Sequence, residues 1–199
     1  MPADTQSSLY PPPIPQDAVE AGRVLLRDGT VAVLRPARDE DRNLFLDFLQ
    51  RVSETSLIRR FFAAESREAA VDSLLQTGPP EERYTLVVLT GVPDRPRIIA
   101  SGTYVRAADD EETAEVAFLV EDAYQGKGLG TLLLERLALI AARHGIRRFV
   151  AWTQPDNRQM LEVFRNSGFH LEERRRDGYI VVSLDVQPSP ESVARSEMR

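Results

Sequence analysis

Val116-Ala117-Phe118-Leu119-Val120-Glu121-Asp122-Ala123-Tyr124-Gln125-Gly126-Lys127-Gly128-Leu129-Gly130-Thr131 runs from an apolar stretch into three glycines spaced by two. The apolar part, Thr113–Val120, reads as a β-strand. After the glycines, Thr131 to Arg143 puts Leu133, Leu134, Leu137, Ile140 and Ala141 on one helical face. Glycine lets a backbone turn sharply and approach an anion with no Cβ in the way. The first amides of the following helix lack intrahelical partners, and the helix dipole favours negative charge there. Lys127 adds a cation at the rim. The spacing rules out a P-loop, because Lys127 is followed by Gly128 rather than Ser or Thr. It also fails the G-x-G-x-x-G dinucleotide pattern. On glycine content alone, a plain strand-to-helix turn remains the alternative.

Working outward, Phe149–Thr153 is the next strand, so strand, glycine loop, helix and strand form a parallel β-α-β unit. Upstream, Tyr84–Leu89, Ile98–Val105 and Thr113–Val120 are β-rich runs separated by the turn Val92-Pro93-Asp94 and the acidic stretch 109–112, the pattern of an antiparallel meander. Thr30–Arg35 is a further strand, stopped by Pro36. The Asp39-Glu40-Asp41 cluster then opens a helix carrying Leu44, Phe45, Phe48, Leu49 and Val52 on one face. Another helix spans Ser66 to Gln76. Asn157 to Asn166 is helical and ends at Ser167-Gly168, and Phe169–Glu173 and Tyr179–Leu184 flank the turn Arg176-Asp177-Gly178. His144 and Gly145 close the helix after the glycine loop.

The ends read differently. Residues 1–21 carry Tyr10-Pro11-Pro12-Pro13-Ile14-Pro15, which suits polyproline II and forbids helix or central strand, so a disordered lead-in is expected. Residues 187–199 read as a flexible tail. One folded domain over 22–186 is expected between them. A net charge of -6 argues against nucleic-acid binding, which needs surplus Lys and Arg. The absence of cysteine removes disulfides and thiolate chemistry and fits a cytoplasmic location. Only His144 and His170 are available as imidazoles, in separate segments, so neither a histidine metal site nor a Ser-His-Asp triad is expected. No apolar run approaches the roughly 18 residues that span a bilayer, so no membrane partner is expected.

Gln125, Gly128 and Gly130 fill the pattern Q/R-x-x-G-x-G/A, which resembles the signature of the GNAT superfamily of N-acetyltransferases. Downstream, Asn157, the helix through Met160, Leu161 and Phe164, and Gly168-Phe169 are similar to the family's closing pattern. Upstream, Val33-Leu34-Arg35-Pro36 with Asp39 and Asp41 resembles its opening strand and first helix. The resemblance covers roughly Arg23 to Val186. It implies an α+β fold with a mixed, mostly antiparallel sheet of about six or seven strands and about four helices, splayed beside the glycine loop. It further implies acetyl-CoA as co-substrate and no metal. The pantetheine arm then falls to the backbone of Phe118, Leu119 and Val120, and the pyrophosphate to the amides of Gln125, Gly126, Lys127, Gly128, Leu129, Gly130 and Thr131. Asn157 faces the lower arm of the cofactor or caps its helix, and both roles are compatible.

Acetyl transfer needs a neutral amine, and a lysine is neutral less than roughly one time in a thousand at pH 7. A carboxylate can take the proton, directly or through water. Glu115 interrupts an apolar strand, and alternation places it with Ala117 and Leu119 on one face. A glutamate at this place is the general base in several members of the superfamily. An outward-facing surface glutamate is the alternative, and Glu111 and Glu112 are weaker candidates in a solvated turn. Many relatives carry a tyrosine on the last helix to protonate the leaving thiolate; here that position, beside the cofactor, is Phe164. The run Ser53-Glu54-Thr55-Ser56-Leu57-Ile58-Arg59-Arg60-Phe61-Phe62 resembles serine-rich turns of bacterial protein-lysine acetyltransferases. A plain reading makes Leu57, Phe61 and Phe62 core contacts and leaves Arg59 and Arg60 solvated. Protein lysines, small amines, and non-catalytic acyl-CoA sensing all stay open, as does a homodimer.

Overall fold

The computed structural model describes residues 20–62, 66–76, 78–92 and 95–186. The proline run, the tail from 187 and the tip of the turn at 93–94 therefore lie outside the described residues. In chain order the elements are β1 (Gly22–Leu25), β2 (Val31–Pro36), α1 (Arg42–Arg51), α2 (Glu54–Phe61), α3 (Arg67–Leu75), β3 (Arg83–Val92), β4 (Arg95–Arg106), β5 (Thr113–Val120), α4 (Leu129–Arg143), β6 (Arg148–Thr153), α5 (Arg158–Arg165), β7 (Leu171–Arg176) and β8 (Tyr179–Asp185). All eight strands join one sheet in the order β1-β2-β3-β4-β5-β6-β8-β7. The sheet is antiparallel except where β5 runs parallel to β6. This is the expected α+β architecture with one more strand, β1, and one more helix, α2, than the sequence suggests.

Helices cover both faces of the sheet, which is why Ile98, Ile99, Ala100, Ser101 and Thr103 of β4 are all buried. On one face Leu133, Leu134, Leu137 and Ala141 of α4 pack with Leu86, Val88, Val116 and Phe118. On the other, Phe45, Phe48 and Leu49 of α1 and Ala70, Val71 and Leu74 of α3 pack with Val87, Leu89 and Leu119. The strand alternation of β5 therefore holds: Ala114, Val116 and Phe118 enter the first core, while Glu115, Ala117 and Leu119 face the side of α1–α3.

The acidic cluster before α1 has a sharper use than favouring a helix dipole. Asp41 is buried and accepts from both terminal guanidinium nitrogens of Arg35, Nη1 and Nη2, at 2.7 Å, as well as from the amide of Arg38 at 2.9 Å. At the far edge, β7 carries Glu172, Glu173, Arg174, Arg175 and Arg176, all exposed, a charged edge that resists pairing with another sheet. No helix among the described residues is long and apolar enough to cross a membrane.

Candidate active site

The site is built where the sheet comes apart. β5 and β6 pair only at Thr113–Arg148, Ala114–Phe149 and Glu115–Val150, although β5 runs on to Val120 and β6 to Thr153. Past Glu115, β4 still pairs along β5 to Val120, but the other edge of β5 meets no strand. A cleft of about 240 Å³ opens there, lined by Glu115 to Val120, the glycine loop, Ala151 to Thr153 and residues of α5. An extended, amide-bearing ligand can complete such an unfilled ladder.

The glycine loop forms one end of the cleft. Gly128 has φ 89°, in the left-handed region, and stands at the N-cap of α4 with no side chain to cap it. The opening amides of α4 therefore carry no side-chain cap, at the positive end of a helix whose burial against the sheet fixes its direction. Gln125, Gly126, Gly128, Leu129, Gly130 and Thr131 line the cleft. Gly130 answers a packing demand, since a Cβ there would lie 3.0 Å from Val163 Cγ2 of α5.

Lys127 departs from its expected place at the rim. Its ammonium sits 2.9 Å from the Asp28 carboxylate and 4.5 Å over the Tyr124 ring, and its side chain does not line the cleft. The Lys127 hydrogen bond, followed by the Thr30 amide, holds the Asp28 carboxyl down at about 2. Arg27, which the sequence reading passed over, lines the cleft instead. The Gln125 side chain turns back to donate to Val120 O and Ser56 Oγ, both at 3.3 Å.

The remaining predicted residues converge on the same cleft. Phe118, Leu119 and Val120 supply the free strand edge. Asn157 lines it while capping α5, its Oδ1 accepting from the Met160 amide at 3.3 Å. Phe164 is 1% exposed and packs 6.3 Å from the Phe118 ring, so the α5 position bears no proton donor. Glu115 is exposed at the root of the slot, and no described residue makes a hydrogen bond or ion pair with its carboxylate. Glu112 is engaged elsewhere, 3.2 Å from Arg147. Among the described residues no cluster of three or more acidic or imidazole side chains forms a metal cage.

The second wall comes from α2, read in the sequence as serine-rich turns. Ser53 is in fact its N-cap, accepting from the Ser56 amide at 3.3 Å, with Glu54 in the first turn and Arg59 and Arg60 in the last, as the helix dipole favours. Asp122, in the turn before the glycine loop, holds this end: its carboxylate accepts from the Ser53 amide at 2.8 Å, Ser53 Oγ at 2.8 Å and Ser56 Oγ at 3.1 Å. Burial pushes the Asp122 carboxyl up, but those hydrogen bonds outweigh it and leave it below the usual carboxylate value. The other end reaches across the slot, where Arg59 pairs with Asp156 at 3.1 Å and Phe62 packs edge-on to Tyr179 at 5.3 Å. Leu57 and Phe61 are partly buried against the second core, whereas Arg59, Arg60 and Phe62 line the cleft.

Residues 49–169 match the family described as Acetyltransferase (GNAT). Acetyltransferase Pat of Mycolicibacterium smegmatis is 30% identical over 165 residues, which cover 83% of this chain and 49% of that protein. Acetyltransferase PA5475 of Pseudomonas aeruginosa is 30% identical over 146 residues, 72% of this chain and 77% of that one. The crystal structure of the GNAT domain of S. lividans PAT is similar with a TM-score of 0.74 and 32% identity, covering 86% of this chain and 99% of that domain. The chain thus spans about half the length of the Pat relative.

Proposed function

Since this chain belongs to the acetyltransferase (GNAT) family, we propose that it transfers an acetyl group from acetyl-CoA to a primary amine, with protein lysines as the acceptor class and Glu115 as the base. The observation that carries this reading is the unpaired Glu115 carboxylate at the root of the slot between β5 and β6, with the bare amides of α4 at the other end. Similarity to proteins named Pat supports the protein-lysine acceptor.

The free edge of β5 at Phe118, Leu119 and Val120 is suited to pair with the amides of the pantetheine arm, which aims the thioester toward Glu115. The glycine-loop amides are suited to the pyrophosphate. The amine nitrogen attacks the thioester carbon, and its proton passes to Glu115 directly or through water. The C–S bond then breaks and the sulfur leaves as a thiolate. A thiol with an ordinary pKa near 8.5 is a tolerable anionic leaving group, so Phe164 does not block the reaction.

Replacing Glu115 by Gln tests the assignment. The variant is expected to bind acetyl-CoA as the wild type does, while thiol release in the presence of lysine-bearing protein falls at least tenfold. Undiminished thiol release would remove Glu115 from the mechanism. Release with a small amine but with no protein would replace the acceptor class, and tight binding without turnover in the wild type would leave a sensor.

A further inference from the structure

The hairpin of β1 and β2 precedes the residues that match the family, and its turn reaches the glycine loop. Asp28-Gly29 makes that turn tight: Gly29 has φ 84°, and the Thr30 amide donates to Asp28 Oδ1 at 3.0 Å. Leu26 anchors the turn in the first core at 5% exposure. Two contacts then fasten the turn to the loop, the Asp28–Lys127 ion pair at 2.9 Å and the Arg27 amide donating to Lys127 O at 3.4 Å.

The consequence is the placement of one cation. Arg27 lies flat against Gly128, so that a Cβ on Gly128 would sit 3.3 Å from Arg27 Nε and 3.7 Å from its Cγ and Cδ. Its side chain lines the cleft, and no described residue pairs with its guanidinium. Lys127, the cation the sequence offers for this place, is neutralised by Asp28. Arg27 therefore stands as an uncompensated charge beside the left-handed turn at Gly128, which also lines the cleft. A guanidinium is planar, always charged, and shaped to take two phosphate oxygens at once.

We infer that Arg27 is a phosphate-binding residue of the donor site, directed at the diphosphate of the acyl-CoA. This rests on the proposed acyl-CoA reading and adds a contact from outside the glycine loop. The diphosphate, rather than the 3′-phosphate, is assigned because the guanidinium abuts Gly128 itself, next to the amides of Leu129 and Gly130. Asp28 and Lys127 serve as positioning residues that hold the turn in place.

Calorimetric titration of wild type, Arg27→Ala and Arg27→Lys with CoA, 3′-dephospho-CoA and pantetheine tests the assignment. Arg27→Ala is expected to weaken CoA binding about tenfold, the scale of a lost charge-assisted contact. The same factor should appear with 3′-dephospho-CoA, which keeps the diphosphate, and vanish with pantetheine, which has none. Arg27→Lys should recover part of the loss. Arg27→Ala should melt within about 2 °C of wild type, which separates a binding role from damage to the fold. The assignment is overturned if Arg27→Ala binds CoA as wild type does, if the loss disappears with 3′-dephospho-CoA, or if it persists with pantetheine. A wild-type protein that fails to bind CoA at all would instead refute the donor reading on which the inference stands.

Discussion

Asp41→Ala removes one half of an enclosed, bidentate ion pair and leaves the other half stranded. Arg35 and Asp41 side chains are 10% and 5% exposed, and both guanidinium contacts are 2.7 Å. Deleting a single partner of such a pair costs about 3–5 kcal/mol, because the remaining charge stays buried without compensation. The Arg38 amide also loses its acceptor. Set against a total stability of roughly 5–15 kcal/mol, this is a large fraction. At 2–4 °C per kcal/mol for a chain of this size, the melting temperature should fall by roughly 6–20 °C. Urea unfolding should show the lower midpoint with the same slope. The double variant Arg35→Met/Asp41→Leu should be less damaged than Asp41→Ala, since an apolar pair leaves no orphan charge. A loss below about 1 kcal/mol for Asp41→Ala, or a double variant as weak as the sum of both single changes, would refute the reasoning.

Two further outcomes follow from the site. Gly128→Ala forces a Cβ onto a residue at φ 89°, against Arg27, and should cost about 1–2 kcal/mol in stability while weakening CoA binding in titration; unchanged affinity would mean that this turn does not meet the cofactor. Asp122→Ala releases the N-terminus of α2 and should lower melting by about 2–4 °C, the scale of a lost cap, while raising the acceptor KM more than the acetyl-CoA KM. Because the folded Asp122 carboxyl is held below its ordinary value, its contribution is present above that value and lost as pH falls through the depressed one. The melting difference should thus stay constant from pH 8 to pH 5 and shrink only below about pH 4; a difference that shrinks near pH 6 would contradict it.

Much of this structure is legible in the residues, and the omissions have physical causes. The β-α-β unit, the meander and the α1 and α4 faces follow from apolar periodicity, which burial enforces on both sides of the sheet. β1 escaped because it has four residues and turns Leu25 outward at 74% exposure, so its apolar pattern points the wrong way. The Asp28-Gly29 dipeptide was the available signal, since it favours a tight hairpin turn. Missing that hairpin also hid Arg27. α2 escaped because Ser53, Thr55 and Ser56 look like turn formers, although Ser53 followed by Glu54 is equally a helix start. Lys127 shows the opposite limit: its place in the loop was clear, but its partner Asp28 lies 99 positions away in sequence. Strand alternation gives the face that Glu115 occupies, whereas Phe164 stands out only through the resemblance to the family's last helix.

Mass spectrometry of a mixed panel of proteins and small amines, incubated with acetyl-CoA and the wild-type chain, is the direct trial of the donor and acceptor chemistry. Acetyl-lysine should appear on protein in step with released CoA, and both should fall at least tenfold when Glu115→Gln replaces the wild type. CoA release with no acetylated amine in the panel, or acetylation that Glu115→Gln leaves untouched, would contradict it.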